Sequence, residues 1–221
     1  MTKTQKKILG IAMTERNVPK TMDGRKTNTR RIEACLRDLD PRYDTCKKIV
    51  DEWGDVVFQL SFDHSKERMI DMGSETVEAR HKVGDRFYVK EALQKAECPP
   101  DYPFARYKTD SMPVQPRGLN RPWKRDDGTS WKQNVIPARY MPRSAARTFI
   151  EITDVRCERI QDISVEDIRA EGCNRGSDPF RSGKSATRCF MELWIETNGK
   201  GSWESNPWVF CYDFKVVTNE V

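Results

Sequence analysis

Long apolar runs are missing from this 221-residue chain. Its longest stretches, Ile11-Ala12-Met13 and Trp208-Val209-Phe210-Cys211-Tyr212, fall well short of the roughly 18 residues that a membrane-spanning helix needs. The start, Met1 to Lys7, is basic but leads into no extended apolar segment, so no secretory leader is expected. Histidine is scarce. Only His64 and His81 occur, each in a charge-rich stretch that reads as solvent-facing, which leaves Ser-His-Asp or Cys-His chemistry little to work with. Cys35, Cys46, Cys98, Cys157, Cys173, Cys189 and Cys211 include no Cys-x-x-Cys pair and no histidine at ligand spacing, so neither a metal nor any other cofactor is expected. Scattered thiols, odd in number, suit a reducing cytoplasm better than secretion. A glycine-rich phosphate loop, βαβ alternation and internal repeats are absent as well.

What is present is enough to fold. Aromatic residues make up 10% of the chain and AVILMFWYC residues 37%, too many for a disordered polyelectrolyte, although 33% of residues are charged. The net charge of +5 is modest but unevenly spread. Residues 1–31 carry nine Lys or Arg against Glu15 and Asp23, and residues 101–147 carry ten against four Asp. The remaining segments are therefore acidic. Two basic segments make either a phosphate-facing surface or a solvated face with dispersed counter-charges.

The pattern along the chain is α+β. Residues 8–13 read as a buried strand, followed by a short helix over 17–23 that Asn17 would cap and Gly24 would end. A polar helical piece is expected near Arg42 to Glu52, then strands over 56–62 and 86–90. Most of the twelve prolines fall between Cys98 and Pro142, which predicts a long irregular insertion. The alternation from Thr148 to Ile160 is that of a half-buried strand. Ser164 caps a helix ending at Glu171-Gly172, a second helix covers about Ser185 to Thr197, and a strand from Trp208 to Val217 closes the pattern.

The densest group of chemically capable residues is Asp23-Gly24-Arg25-Lys26-Thr27-Asn28-Thr29-Arg30-Arg31. Arginine offers a fork of donors, lysine a point charge or a base, and threonine a hydroxyl that both donates and accepts. Such a run suits an anion or a nucleotide; it also suits an ordinary basic turn. Met141-Pro142-Arg143-Ser144-Ala145-Ala146-Arg147 sets two arginines four apart among small residues, where a nucleotide could lie, or where the arginines pair with Glu151 or Asp154. Trp123 and Trp131 sit among Arg121, Lys124, Arg125 and Lys132, an arrangement that stacks bases or pins the insertion to the core.

Gly24-Arg25-Lys26-Thr27-Asn28-Thr29-Arg30-Arg31 resembles the Gly-x-Lys-Thr-x-Thr-x-Arg signature of ASCH domains, a branch of the PUA-like barrels. Four further segments, in the same order, resemble the larger, bacteriophage-associated ASCH proteins. They are 83–91, 141–147, 152–156, and Ala170-Glu171-Gly172 with Asn206-Pro207-Trp208-Val209. The resemblance implies one domain over 1–221, a small mixed β-barrel with flanking helices, and insertions at about 33–80 and 93–135. It implies a nucleic-acid- or nucleotide-binding protein that recognises RNA, single-stranded nucleic acid or a modified base in a basic cleft. Arg25, Thr27, Arg30, Arg31, Glu91, Arg143, Arg147, Trp123 and Trp131 are then binding residues.

Small ASCH proteins are metal-independent amidohydrolases on acylated cytidine, and by position their active residues correspond to Lys26, Thr29 and Glu171. A desolvated lysine would act as base, the glutamate would hold or shuttle the proton, and the threonine hydroxyl would attack the amide carbonyl. The alternatives are therefore a hydrolase, including a ribonuclease, and an accessory protein that binds a host protein through the basic insertion. Each implies a cytoplasmic protein with no membrane partner.

Overall fold

The computed structural model describes residues 8–39, 42–52, 54–62, 74–95, 105–114, 134–173 and 185–217. The strands are β1 (Leu9–Ala12), β2 (Asn28–Arg31), β3 (Thr45–Val50), β4 (Val56–Ser61), β5 (Ser74–Val77), β6 (Arg86–Lys90), β7 (Leu93–Lys95), β8 (Ala105–Tyr107), β9 (Val135–Ile136), β10 (Phe149–Arg159) and β11 (Trp208–Val217). The helices are α1 (Asn17–Met22), α2 (Ala34–Arg37), α3 (Val165–Ala170) and α4 (Ala186–Asn198). The fold is α+β and rich in sheet. None of the described helices is long and apolar enough to cross a membrane.

The chain divides into two compact units, each assembled from separate stretches: 1–25, 85–151 and 215–221 in the first, 26–84 and 152–214 in the second. In the first unit β1 runs parallel to β6, and the opening residues of β10, Phe149–Glu151, pair antiparallel with β6. The approach of β1 to β6 is close: a Cβ on Gly10 would fall 2.6 Å from the Tyr88 ring. A small antiparallel sheet, β8-β7-β9, stands beside a core of Leu93, Ala105, Tyr107, Val114, Ile136 and Met141. The 93–135 insertion, expected to be irregular, thus contains short strands. Buried Leu93, Ala105 and Ile136 stand beside exposed Gln94 and Arg106 and half-buried Val135, and strands of two or three residues leave too short a period to read from sequence.

In the second unit β11 lies between β10 and β2, and its residues Phe210–Asp213 pair antiparallel with Arg31–Asn28. The strands β3, β4 and β5 form an antiparallel sheet, so the polar segment 42–52 is strand rather than helix. The helices α3 and α4 pack on Ile160, Ile168, Phe190, Trp194 and Val209. Among the described residues the strands form open sheets and no closed barrel, because β1 and β2 each have a paired neighbour on one side only. Trp194 and Trp208 are buried, and Trp203 packs against the cluster that holds Trp194.

Local signals place the functional side chains. Gly24, at φ +76°, turns the chain out of α1 and into the Lys26 segment. Asn17 does not cap α1: Arg16 occupies the cap position without a side-chain capping bond, and the Asn17 Oδ1 has no partner among the described residues. Ser164 does cap α3, accepting from the Asp167 N–H at 3.0 Å, and Ser185 caps α4 in the same way. The α3 cap orients the turn that carries Asp167, Ala170 and Glu171.

Candidate functional site

Lys26 and Glu171, 145 positions apart, meet in the second unit. The Lys26 ammonium forms a buried ion pair with the Glu171 carboxylate and also donates to the Glu171 backbone carbonyl at 3.4 Å. The backbone docks alongside, with the Thr27 N–H donating to the Ala170 carbonyl at 2.8 Å and the Phe214 N–H to the Thr27 carbonyl at 2.7 Å. A glutamate at a helix C-terminus meets the negative end of the dipole. Here the lysine supplies the compensating charge.

Strand alternation sets which neighbours join this pair. Lys26, Asn28 and Arg30 face one way. Arg30 is bound to Glu158 at 2.7 Å, Asp167 at 2.9 Å and Glu171 at 3.4 Å. On β10, Arg156 and Glu158 face the same group: Arg156 reaches Asp167 at 3.1 Å and Asp213 at 3.3 Å. Asp167 is the hub, since Arg30, both terminal nitrogens of Arg156 and the Asn28 side-chain amide all donate to it. Burial works against its charge, but the Arg156 hydrogen bonds and the Arg30 and Arg156 charges outweigh that and hold its carboxyl below the usual range. Asp213 goes the other way: burial pushes its carboxyl up despite Arg156.

The cluster grades from interior to surface. Side-chain exposure is 1% at Lys26 and Arg30, 18% at Glu158 and Asp167, and 34% at Arg156. Each cation is matched by carboxylates, so the group as a whole is not basic. One buried acceptor remains: the Asn28 Oδ1 has no partner among the described residues. The amide orientation is set by its neighbour, because Asp167 requires the Nδ2 donor on its side.

Thr29 and Arg31 point to the other side of β2. Thr29 is buried there, on the face of β2 opposite Lys26. Arg31 is half-buried; burial depresses it, and the charges of Glu171, Tyr212 and Glu33 oppose that. Nearby, the Tyr212 hydroxyl donates to Glu33 at 2.5 Å, and burial followed by that bond raises the phenol. Thr27 is exposed, and so is Arg25, which pairs with Asp23 at 2.6 Å.

Glu91 and Arg147 form a second group, within the first unit. Glu91 is fully buried, and both its oxygens accept from Arg147, at 2.9 and 2.6 Å. The remaining Arg147 arm binds Asp110 at 2.7 Å, and the guanidinium lies 3.8 Å from the centre of the Tyr107 ring. Burial pushes the Tyr107 phenol up to about 12. Burial opposes the Asp110 charge, but Arg147 brings its carboxyl below the usual range. Arg147 therefore pairs with Glu91 and Asp110, not with Glu151 or Asp154. Arg143 is exposed. Trp123 and Trp131 lie outside the described residues.

Asp167, Glu158, Arg156 and Asp213 were not singled out in the sequence. Two signals for them were there: the Arg156-x-Glu158 alternation on a strand, and an Asp in the first turn of α3 that does more than cap. With this geometry in hand, comparison adds no name: no protein-family model, no curated protein and no solved structure matches the chain.

Proposed function

We propose that this chain is a nucleotide- or nucleic-acid-binding protein of the ASCH, PUA-like kind. Its functional centre is the Lys26–Glu171–Arg30 group with Asn28 and Asp167 around it. The observation that carries the reading is the convergence of Lys26, Arg30 and Glu171. Of the residues that the resemblance sets around one cleft, these three come from segments far apart in the chain and share one buried cluster, whereas Thr29 faces the other side of β2 and Arg143 and Arg147 belong to the first unit.

The charge balance shapes the ligand. Cations already bound to carboxylates attract phosphate weakly, so the group suits the hydrogen-bonding edge of a base or modified nucleoside better than a polyphosphate. The Asn28 Oδ1 would accept from an amino or amide N–H of such a base.

A second reading, a metal-independent hydrolase of an acylated nucleoside or RNA, is favoured by one feature: Lys26 and Glu171 are in direct contact, as a proton-holding pair must be. The Thr29 hydroxyl stands apart from that pair among the described residues, so Lys26 and Glu171 bear the weight of this reading. A host-protein partner would rest on 98–135, most of which lies outside the described residues.

The test is a panel of RNA, single-stranded DNA, cytidine and acylated cytidine, assayed for binding by calorimetry and for mass change by mass spectrometry. The probe variant is Lys26→Met with Glu171→Leu, which removes both charges together and keeps the fold. Wild-type binding that this variant loses supports the centre; turnover that it loses supports the hydrolase. Undiminished binding by the folded variant overturns both.

A further inference from the structure

Three contacts in the second unit lay β10 against β3 in antiparallel sense. The Arg159 guanidinium donates to the Tyr43 carbonyl at 2.5 Å, just before β3 begins. The Lys48 ammonium binds Asp154 at 2.7 Å and donates to the Val155 carbonyl at 3.0 Å. Moving two residues back from Lys48 on β3, and two forward from Val155 on β10, brings Cys46 opposite Cys157. The two thiols are hydrogen-bonded to each other, and both are half-buried, within reach of a small reagent. Strand alternation turns Cys157 away from Arg156 and Glu158, so the thiol pair stands on the opposite face of β10 from the charged cluster.

We propose that Cys46 and Cys157, set opposite one another across β3 and β10, form a reversible disulfide site.

The oxidant is a low-molecular-weight disulfide. One of the two protein thiolates attacks one of its sulfurs, the external S–S bond breaks, and one thiolate leaves. The other protein thiol then gives its proton to solvent and attacks the protein sulfur of the mixed disulfide, expelling the second thiolate. Two protein thiols are oxidised and one external disulfide is reduced to two thiols. The product pins β10, at the residue between Arg156 and Glu158, to the β3–β4 hairpin. Among the described residues Cys35 is the exposed competing thiol: it donates to the Glu78 carbonyl at 3.7 Å and is raised by burial and by Glu33.

The experiment treats the full chain with oxidised glutathione, blocks the remaining thiols by alkylation, and maps the peptides. The expected result is a Cys46–Cys157 cross-linked peptide with the loss of two hydrogens, reversed by dithiothreitol and retained in Cys35→Ser. In Cys157→Ser, glutathione should accumulate on Cys46, several times faster than on Cys35. A cross-link from Cys35 to either residue, or both Cys46 and Cys157 recovered alkylated from the wild-type chain, overturns the site.

Discussion

Lys26 is held by two atoms of one residue, the carboxylate and the carbonyl of Glu171, in a setting where neither charge reaches water. Lys26→Ala should therefore cost about 3–5 kcal/mol, because it leaves a buried carboxylate short of its partner. Lys26→Met with Glu171→Leu should recover most of that loss; urea denaturation of the three chains checks both statements. Asp167 predicts the acid behaviour. Its folded-state carboxyl is depressed, so its contribution is complete above the unfolded value of about 3.9 and is lost as pH falls through the lower folded value. Asp167→Asn should lower the urea midpoint at neutral pH and flatten its decline in that acid window. That Lys26 and Glu171 share a centre was legible only through the family resemblance, which carries the two in separate segments. The role of Asp167 was not: locally it is a first-turn acid, and only tertiary approach of β2 and β10 makes it the acceptor for three side chains. Glu91 and Arg147 were each singled out as ligand contacts, and what no local pattern shows is that they bind one another.

At the scale of elements, the short helix α3 depends on its cap to hold Glu171 in place. Ser164→Ala should cost about 1 kcal/mol, read from thermal or urea unfolding, and should loosen the Asp167 turn as it does so. The β3–β4 hairpin depends on its turn. Gly54 sits at φ +85° with open space around its Cα, while the Asp51 carboxylate accepts the Asp55 N–H at 2.8 Å. Gly54→Ala should then cost about 1–2 kcal/mol through backbone strain alone, with no steric term. This hairpin is where the sequence misled. Residues 42–52 are polar and lack a clear period, which suits a solvated helix; pairing of Cys46 with Leu60 and Ile49 with Val57 decides for strand. Capped helices and long alternating strands such as β10 were readable because their signals are local.

Over the whole molecule, the cations of the candidate centre are internally matched, and this sets its response to salt. Cytidine-type ligands should bind with affinity changing by no more than about twofold between 50 and 200 mM salt, whereas a binder of many phosphates loses orders of magnitude. Calorimetry at the two salt concentrations decides it. The same bookkeeping was invisible in the charge surplus of the 1–31 segment, because the carboxylates that offset Lys26 and Arg30 come from 158–171. The interleaved make-up of the two units has a biosynthetic consequence. The first unit takes 215–221 as well as 1–25, and the second extends to 214. Neither can complete itself on the ribosome until β11 has been synthesised. Folding must wait for the last strand, and a chain stalled before β11 emerges would be a substrate for chaperones rather than a half-built protein with one working module.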